Sequence, residues 1–227
     1  MELLRLSGVR VGYGREPDVI EGVSLSLAEG ETVAILGPSG GGKTTLVKAI
    51  AGLLPVRGGT LDVVGVPAPT RPPRGTVGYV PQRLGLVRHA SLFDNVVLGG
   101  LHRTPLLHSL ARRPPVAVAE AAMAALRRLD LADKVGVPVH MLSGGQQRRA
   151  AVARALVQRP RILLADEFLG ELDPTTMEAV VAAVKELQAA TGMGLLIIEH
   201  HLDQAIRLAD RVYRLKAGQL TALEEAA

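Results

Sequence analysis

The segment from Gly37 to Thr44 limits most strongly how this chain can fold. It reads Gly-Pro-Ser-Gly-Gly-Gly-Lys-Thr and fits the pattern GxxxxGK[ST]. The uncharged run Val33–Leu36 before it is typical of a buried strand, and Lys43–Leu54 favours a helix that stops at Pro55. A strand, a glycine turn and a helix in this order predict a loop whose backbone amides point at an anion.

The residue types of this loop suit the phosphates of a nucleoside triphosphate. Glycines let successive amides curl around the β- and γ-phosphates, and the following helix adds its positive N-terminal end. We expect Lys43 to reach the terminal phosphates and the Thr44 hydroxyl to hold Mg²⁺. The predicted nucleotide-binding residues of the loop are Gly37, Pro38, Ser39, Gly40, Gly41, Gly42, Lys43, Thr44 and Thr45. By itself the loop indicates only that a nucleoside triphosphate is bound.

Two acids end another apolar run. Ile162–Ala165 predicts a buried strand, and Asp166 and Glu167 follow it directly. A strand buried in a parallel sheet delivers its C-terminal residues to the crevice where a nucleotide binds. Asp166 is therefore predicted to bind Mg²⁺ through water, and Glu167 to polarise the attacking water as general base. The alternative is an acidic turn after a strand, which the phosphate loop in the same chain disfavours.

The rest of the chain alternates between strand and helix patterns. At 227 residues it could form one α/β domain or two small ones. Between Pro81 and Val157, Ala, Leu and Arg with scattered prolines predict an inserted helical region, divided by a linker-like segment at Thr104–Val116. A helix is predicted at 175–190, and strands around Val23–Leu27 and at 60–64, 77–80, 194–198 and 212–215. This order favours a sheet flanked by helices.

Composition argues against several classes of protein. Apolar stretches such as Leu195–Ile198 are much shorter than the roughly 18 to 20 residues of a membrane-spanning helix. The first residues lack the basic and apolar regions of a secretory signal, which predicts a cytoplasmic location. The absence of cysteine removes disulfides, thiolate metal sites and cysteine nucleophiles.

The charge pattern leaves two interpretations open. The net charge is +4, and arginines make the middle of the chain basic. A solvated surface is the favoured interpretation, and the alternative is a patch that faces anionic lipid or nucleic acid. An aromatic content of 2% without tryptophan argues against a platform on which nucleic-acid bases stack.

The segment Leu142–Gln146, Leu-Ser-Gly-Gly-Gln, precedes a helix-forming run rich in arginine and alanine. Together with the phosphate loop it makes the chain resemble the ATP-binding cassette (ABC) ATPases, whose signature sequence has this form. The resemblance extends from Leu4 to about Leu220. It implies an α/β P-loop NTPase fold with a mixed sheet core, an N-terminal antiparallel β subdomain and an inserted α-helical signature subdomain.

The resemblance also implies a division of the chain and a role for the signature. One domain would span residues 1–227, with 1–82 and 159–227 forming a RecA-like core and the β subdomain, and 83–158 forming the helical subdomain. In this family the signature binds the γ-phosphate of the ATP that the partner subunit holds. The corresponding residues here are Leu142, Ser143, Gly144, Gly145 and Gln146.

Four further positions match family residues individually. Tyr13 is similar to the aromatic that stacks on adenine, and Gln82 to the glutamine that touches Mg²⁺ and the catalytic water. Asp173 resembles the aspartate that crosses the dimer interface, and His200 resembles the switch histidine at the γ-phosphate. The alternatives are a structural tyrosine at position 13 and an ordinary histidine after a strand at position 200. The neighbouring His201 is predicted to lie on the surface.

Three positions depart from the family pattern. Phe168 stands where proline is usual, Glu171 where a small residue is usual, and Glu199 where threonine or serine is common. None of these departures removes a catalytic group. Glu171 is expected to alter dimer contacts or the conformational cycle, and Glu199 lies beside His200, whose orientation this departure leaves open.

The resemblance implies the ATP-hydrolysing subunit of an ABC transporter. Two copies, or one copy and a homologous subunit, would sandwich two ATP molecules and drive an integral membrane permease from the inner face of the membrane. The segment Leu84–Leu131 is most similar to phosphonate and phosphite importer ATPases, which would add a solute-binding protein. An exporter or an envelope-remodelling ATPase is the alternative, and no nucleic-acid partner is expected.

Two other classes of protein with the same ATPase domain fit the sequence less well. A chromosome or repair ATPase would insert a long coiled coil before the signature, but only 61 positions separate Gln82 from Ser143. A ribosome-associated ATPase would usually carry two cassettes, and this chain has one. The presence of both Glu167 and His200 disfavours a scaffold that binds nucleotide without hydrolysing it.

Overall fold

The computed structural model describes residues 1–104, 114–170 and 172–223. These residues form two compact units. The first contains Met1–Tyr79, Arg161–Glu167 and the chain from Gly192 onward, and the second contains Val80–Pro160 and Phe168–Thr191. Glu171 and most of the predicted linker at 104–116 lie outside the described residues.

An antiparallel sheet of four strands lies at the N-terminal end of the first unit. Its strands are β1 (Glu2–Gly12), β2 (Asp18–Ala28), β4 (Gly58–Val63) and β5 (Val66–Pro67), in the order β2-β1-β4-β5. Leu6 pairs with Leu25 of β2 and with Leu61 of β4, so buried leucines lie side by side across three strands. This sheet corresponds to the predicted antiparallel β subdomain.

The second sheet of the first unit is a mixed sheet of six strands. The strands are β3 (Thr32–Leu36), β6 (Val77–Val80), β7 (Ile162–Asp166), β8 (Gly194–Glu199), β9 (Arg211–Lys216) and β10 (Gln219–Leu223), in the order β10-β9-β3-β8-β7-β6. β9, β3, β8 and β7 run parallel, and β10 is antiparallel to β9. Every residue of β3, β7 and β8 is buried, which explains their uninterrupted apolar sequences.

The two sheets of the first unit share one apolar core. Leu3, Ile20 and Leu27 of the antiparallel sheet and Ile35 and Ile162 of the mixed sheet belong to a single cluster of buried side chains. Each of these five side chains is 0% exposed, and full burial stabilises by about 1.5 to 3 kcal/mol per side chain. The core therefore holds the ends of β3 and β7 in fixed positions.

The first helix is shorter than predicted. α1 spans Lys43–Ile50 and does not reach Leu54. Gly52 has φ of +70°, and the amides of Gly52 and Leu53 donate to the carbonyls of Ala49 (3.0 Å) and Lys48 (2.8 Å). This is the Schellman arrangement that ends a helix at glycine, so Gly52 terminates the helix before Pro55 can.

Helices make up most of the second unit. After α1 come α2 (Leu92–Val97), α3 (Val116–Arg128), α4 (Gly144–Gln158) and α5 (Pro174–Thr191), and α6 (Leu202–Leu208) returns to the first unit. Short 3₁₀ segments lie at Leu98–Arg103, Ala132–Lys134 and Val139–Met141. α2 and α3 pack on α4, which agrees with the inserted helical region predicted from composition.

Two local features hold the second unit together. Asn95 is fully buried, donates to the carbonyls of Val87 (3.0 Å) and Ser91 (2.9 Å), and accepts from the Val87 amide (2.7 Å). A Cβ at Gly99 would lie 2.1 Å from the carbonyl oxygen of Arg154, so glycine is required where this segment crosses α4. The structure thus confirms the α/β class with a mixed sheet and an antiparallel sheet, while β1, β5 and β10 are strands that the sequence patterns did not predict.

Candidate active site

The predicted phosphate loop joins the buried strand β3 to α1. A Cβ at Gly37 would lie 2.1 Å from the Leu215 carbonyl oxygen, and one at Gly42 would lie 2.8 Å from Ile20 Cδ1. Gly40 and Gly42 have φ of +80° and +97°, values that side chains disfavour. The glycines therefore let the backbone turn tightly against its neighbours and leave its amides at the start of α1, where an anion binds favourably.

Lys43 lies across this loop. Its Nζ donates to the carbonyls of Gly37 (2.7 Å) and Pro38 (3.0 Å), and the residue is 6% exposed. Burial lowers the pKa of Lys43, and the nearby carboxylates of Glu167 and Asp166 oppose that shift. The ammonium group is thus confined to the concave side of the loop between anionic neighbours, ready to pair with added negative charge.

Thr44 and Asp166 meet although 122 positions separate them. Thr44 Oγ1 donates to Asp166 Oδ2 at 3.1 Å. Asp166 ends β7 and is 1% exposed, and burial raises the pKa of its carboxyl, while the Thr44 bond lowers it. A hydroxyl and a carboxylate side by side are the oxygen donors that Mg²⁺ binds in nucleotide sites, so the residues present fit that ion.

Glu167 and His200 form a second close pair. Glu167 Oε1 and His200 Nε2 are 2.5 Å apart. The parallel register of β7 and β8 brings them together, because Asp166 pairs with Ile198 and each chain then turns out of the sheet. Glu167 has φ of +53°, a strained value for a residue with a side chain, and its amide donates to the Ile198 carbonyl at 3.2 Å. With this backbone conformation the chain leaves the direction of β7 at Glu167.

Two tyrosines lie near these groups. The hydroxyl of Tyr13 is 3.2 Å from Thr45 Oγ1, and Tyr13 is 38% exposed, so its ring is accessible beside α1. Burial, followed by the charge of Asp166, raises the pKa of Tyr79 to about 12. The Tyr79 phenol therefore stays neutral beside the carboxylate.

The signature segment lies in the second unit. Ser143 is the N-cap of α4: its Oγ accepts from the Gln146 amide at 3.3 Å, and Gln146 Oε1 accepts from the Ser143 amide at 3.0 Å. This reciprocal arrangement is a capping box. Leu142 is buried, whereas Ser143 and Gly144 are exposed. The positive end of α4 therefore faces solvent.

Other predicted positions of the second unit also lie at the ends of elements. Gln82 follows β6 and is exposed, and Asp173 precedes α5, where its carboxylate accepts from the Thr176 amide at 3.0 Å. Hydrogen bonds from the side chain and then the amide of Thr176 lower the pKa of Asp173. Phe168 is 2% exposed and acts as a core side chain, and Glu199 of β8 is 4% exposed.

The first unit brings together the loop, Thr44, Asp166, Glu167, His200 and Tyr13. Sequence patterns missed two neighbours of this site, Tyr79 and Arg57. Val77 and Tyr79 share one face of β6 and pack, partly buried, against the apolar core, and this spacing of two could have indicated the inward direction of Tyr79. Arg57 carries no local signal, since its partners lie 39 to 43 positions away.

Comparisons with known proteins show the family to which the chain belongs. The sequence profile of the ABC transporter family matches residues 20–170, more than half of the chain. The phosphonates import ATP-binding protein PhnC of Caulobacter vibrioides is 38% identical over 210 residues, which cover 88% of this chain and 80% of that protein. The hypophosphite import ATP-binding protein HtxD of Stutzerimonas stutzeri is 35% identical over 227 residues, covering 96% of this chain and 65% of that one. A bacterial ABC transporter cassette solved as a dimer superposes with a TM-score of 0.84 and 27% identity, over 98% of this chain and 99% of the cassette.

The fold and the site together define a P-loop nucleoside triphosphatase. Within that class the chain belongs to the ABC transporter family, and it is an ATP-binding ATPase homologous to phosphonate and hypophosphite importer ATPases. In the parts of the chain that the structure describes, no helix is both long enough and apolar enough to cross a bilayer.

Proposed function

We propose that this ATPase dimerises around two ATP molecules and powers a separate membrane permease that imports a small phosphorus oxyanion such as a phosphonate. The observation that carries the ATPase part of the proposal is the convergence of Lys43, the Thr44–Asp166 pair and the Glu167–His200 pair at one edge of the mixed sheet. The geometry supports hydrolysis of a bound triphosphate because it combines a phosphate cradle, metal ligands and a base.

Each side chain has a distinct proposed role at this edge. The loop amides and Lys43 bind the phosphates, and Tyr13 stacks on adenine. Glu167 takes the proton of the attacking water, and His200 holds the Glu167 carboxylate through the 2.5 Å contact and then contacts the γ-phosphate. The base is therefore positioned before the nucleotide arrives.

Mg²⁺ would be held by Thr44 and Asp166, with Gln82 as a third contact. When bound, the ion would neutralise negative charge that develops on the phosphates during transfer. Thr44 and Asp166 already lie 3.1 Å apart, so they need little rearrangement to share one cation.

The signature is proposed to act on the second copy. Ser143, Gly144 and Gly145 begin α4, where exposed amides and the helix dipole favour an anion. We infer that residues 83–158 form the helical subdomain that presents this end to the partner's γ-phosphate, and that residues 1–82 and 159–227 form the catalytic core. Leu142 and Gln146 hold the segment, and Asp173 contacts the partner subunit.

The named relatives support the proposed direction and cargo of transport. Two of them import phosphonates and hypophosphite, and they are 38% and 35% identical to this chain. The ATPase is accordingly proposed to lie at the inner face of the membrane, on a permease that receives its cargo from a solute-binding protein. Uptake of methylphosphonate and hypophosphite by cells with and without this chain tests the proposal, and normal uptake of both without it would contradict the import assignment.

The ATPase mechanism is tested with Glu167→Gln, which keeps the shape of the side chain and removes its basicity. We expect hydrolysis by the variant to fall by at least about 100-fold, the size of a general-base contribution. Because ATP is bound and not cleaved, the variant should accumulate as an ATP-dependent dimer in size-exclusion chromatography.

Glu178→Gln is the matched control for this experiment. Glu178 is an exposed residue of α5, so the same chemical change there should leave hydrolysis and association unaltered. The proposed mechanism is wrong if Glu167→Gln hydrolyses ATP at the wild-type rate. It is also wrong if neither form binds ATP.

A further inference from the structure

The turn that carries Tyr13 connects β1 to β2. β1 ends at Gly12 and β2 begins at Asp18. Within the turn, the Glu16 amide donates to the Tyr13 carbonyl at 2.9 Å, and Gly14 has φ of +50°. One internal hydrogen bond does little to restrict a turn of this length, because fixing each residue costs roughly 1 to 2 kcal/mol of backbone entropy.

Arg57 supplies the missing restraint from a distant part of the sequence. Its Nη2 donates to the Gly14 carbonyl at 2.7 Å, and its Nη1 donates to the Glu16 carbonyl at 2.7 Å and to Asp18 Oδ1 at 2.9 Å. One planar guanidinium thus joins two backbone carbonyls and a carboxylate, a geometry that a lysine ammonium does not reproduce.

The antiparallel sheet fixes the backbone of Arg57. Its amide donates to the Arg10 carbonyl of β1 at 2.8 Å, and the next residue, Gly58, pairs with Arg10. The guanidinium fills the space beside Gly12, since a Cβ there would lie 2.5 Å from Arg57 Nη1. The side chain therefore has one position, set by β1 on one side and by the turn on the other.

The Tyr13 side chain of this turn contacts α1, the helix that follows the phosphate loop. The Tyr13 hydroxyl is 3.2 Å from Thr45 Oγ1, and Thr45 is 5% exposed in α1, two residues after Lys43. The exposed Tyr13 ring is thus located by Arg57 through the backbone and by Thr45 through the hydroxyl.

We propose that Arg57 is a positioning residue for nucleobase binding, which holds the Tyr13 ring where it stacks on the base. This inference rests on the proposed contact between Tyr13 and adenine. It assigns Arg57 an effect on the nucleoside end of ATP and no effect on the triphosphate end, since the hydrogen bonds of Arg57 within the described residues reach only the Gly14–Asp18 turn and Arg10.

In a calorimetric binding experiment with Mg²⁺, two ligands distinguish binding of the nucleoside end of ATP from binding of the triphosphate end. AMP-PNP presents base and phosphates, whereas inorganic tripolyphosphate presents phosphates alone. We expect Tyr13→Ala to weaken AMP-PNP binding by roughly tenfold, as for loss of one base–aromatic stack. Arg57→Ala should weaken it by about threefold to tenfold, Arg57→Lys by less, and neither should change tripolyphosphate binding. In hydrolysis assays Arg57→Ala should raise KM for ATP and leave kcat unchanged.

Arg10→Ala is the matched control. Arg10 Nη1 lies 3.8 Å from Oδ2 of the same carboxylate, Asp18, and the Arg10 side chain is more exposed than that of Arg57. Among the hydrogen bonds of the described residues, Arg10 donates to neither the Gly14 nor the Glu16 carbonyl. Its AMP-PNP affinity should equal that of wild type. In a Tyr13→Ala background, adding Arg57→Ala should weaken AMP-PNP no further, because the two changes remove one interaction.

Each other outcome has a definite meaning. If Tyr13→Ala weakens AMP-PNP binding and Arg57→Ala and Arg57→Lys do not, the inference is overturned while the proposed function stands. Equal weakening of AMP-PNP and tripolyphosphate by the Arg57 variants shows a general structural role and overturns it as well. If Tyr13→Ala leaves AMP-PNP binding intact, the base contact itself is wrong, and the inference is wrong with it.

Discussion

At the scale of single residues, the neutral Tyr79 phenol allows a prediction about alkaline stability. Burial raises its pKa from an ordinary value of 10 to about 12. Between these values the unfolded chain releases the phenolic proton and the folded chain keeps it. The free energy of unfolding therefore falls as pH rises through this interval, and the effect is absent below pH 10. Urea unfolding at several alkaline pH values should show this loss.

Tyr79→Phe separates this effect from general alkaline unfolding. The variant lacks the titrating group, so its loss of stability between pH 10 and 12 should be smaller than that of wild type. The chain has no tryptophan, so near-ultraviolet absorbance reports on tyrosinate without interference, and a step near pH 12 should vanish in the variant. An unchanged step would contradict the assignment to Tyr79.

Helix caps allow a prediction at the scale of elements, because two helices of the second unit begin with the same device. Ser143 caps α4, and Ser91 caps α2 by accepting from the Asp94 amide at 3.0 Å. Replacing either serine by alanine should lower the free energy of unfolding by about 1 kcal/mol, because one helix amide loses its partner. Urea unfolding measures both losses.

Hydrolysis should distinguish the two caps. Ser143 is proposed to contact the partner's γ-phosphate, whereas Ser91 lies outside the signature. We expect Ser143→Ala to slow ATP hydrolysis by about tenfold or more, as for loss of a preorganised donor. Ser91→Ala should hydrolyse ATP at the wild-type rate. Equal rates for the two variants would show that the signature serine acts only as a cap.

At the scale of the whole molecule, one complete site is proposed to need two copies. Lys43→Ala removes the phosphate ligand from its own loop, and Ser143→Arg blocks its own signature. A mixed dimer of these two variants retains one intact loop facing one intact signature. Each variant alone should be inactive, and an equal mixture should recover about a quarter of wild-type hydrolysis, because half of the randomly paired dimers hold one good site of two.

The mixing experiment has a clear contrary result. If Lys43→Ala and Ser143→Arg stay inactive at every ratio while size-exclusion chromatography shows ATP-dependent association, the loop and the signature of one site do not come from different copies. Activity of either variant alone at the wild-type level would contradict the role assigned to its residue.

Sequence patterns predicted the parts of the site whose cause is local. The glycines of the loop from Gly37 to Gly42 depend on neighbours within a few residues, so a short motif describes them. The strands β3, β7 and β8 were predicted for the same reason, since burial on both faces favours runs of consecutive apolar residues such as Val33–Leu36. The predicted end of α1 was wrong because Gly52 stops the helix before Pro55.

The sequence by itself determined that a phosphate loop, two terminal acids and a signature are present, and hence the family and the chemistry. Only the tertiary structure decided which of these residues touch. Thr44 meets Asp166 over 122 positions, Glu167 meets His200 over 33, and Arg57 reaches the Tyr13 turn over about 40. The register of neighbouring strands sets those contacts, and register depends on the packing of all the paired strands against one core, which no local motif records.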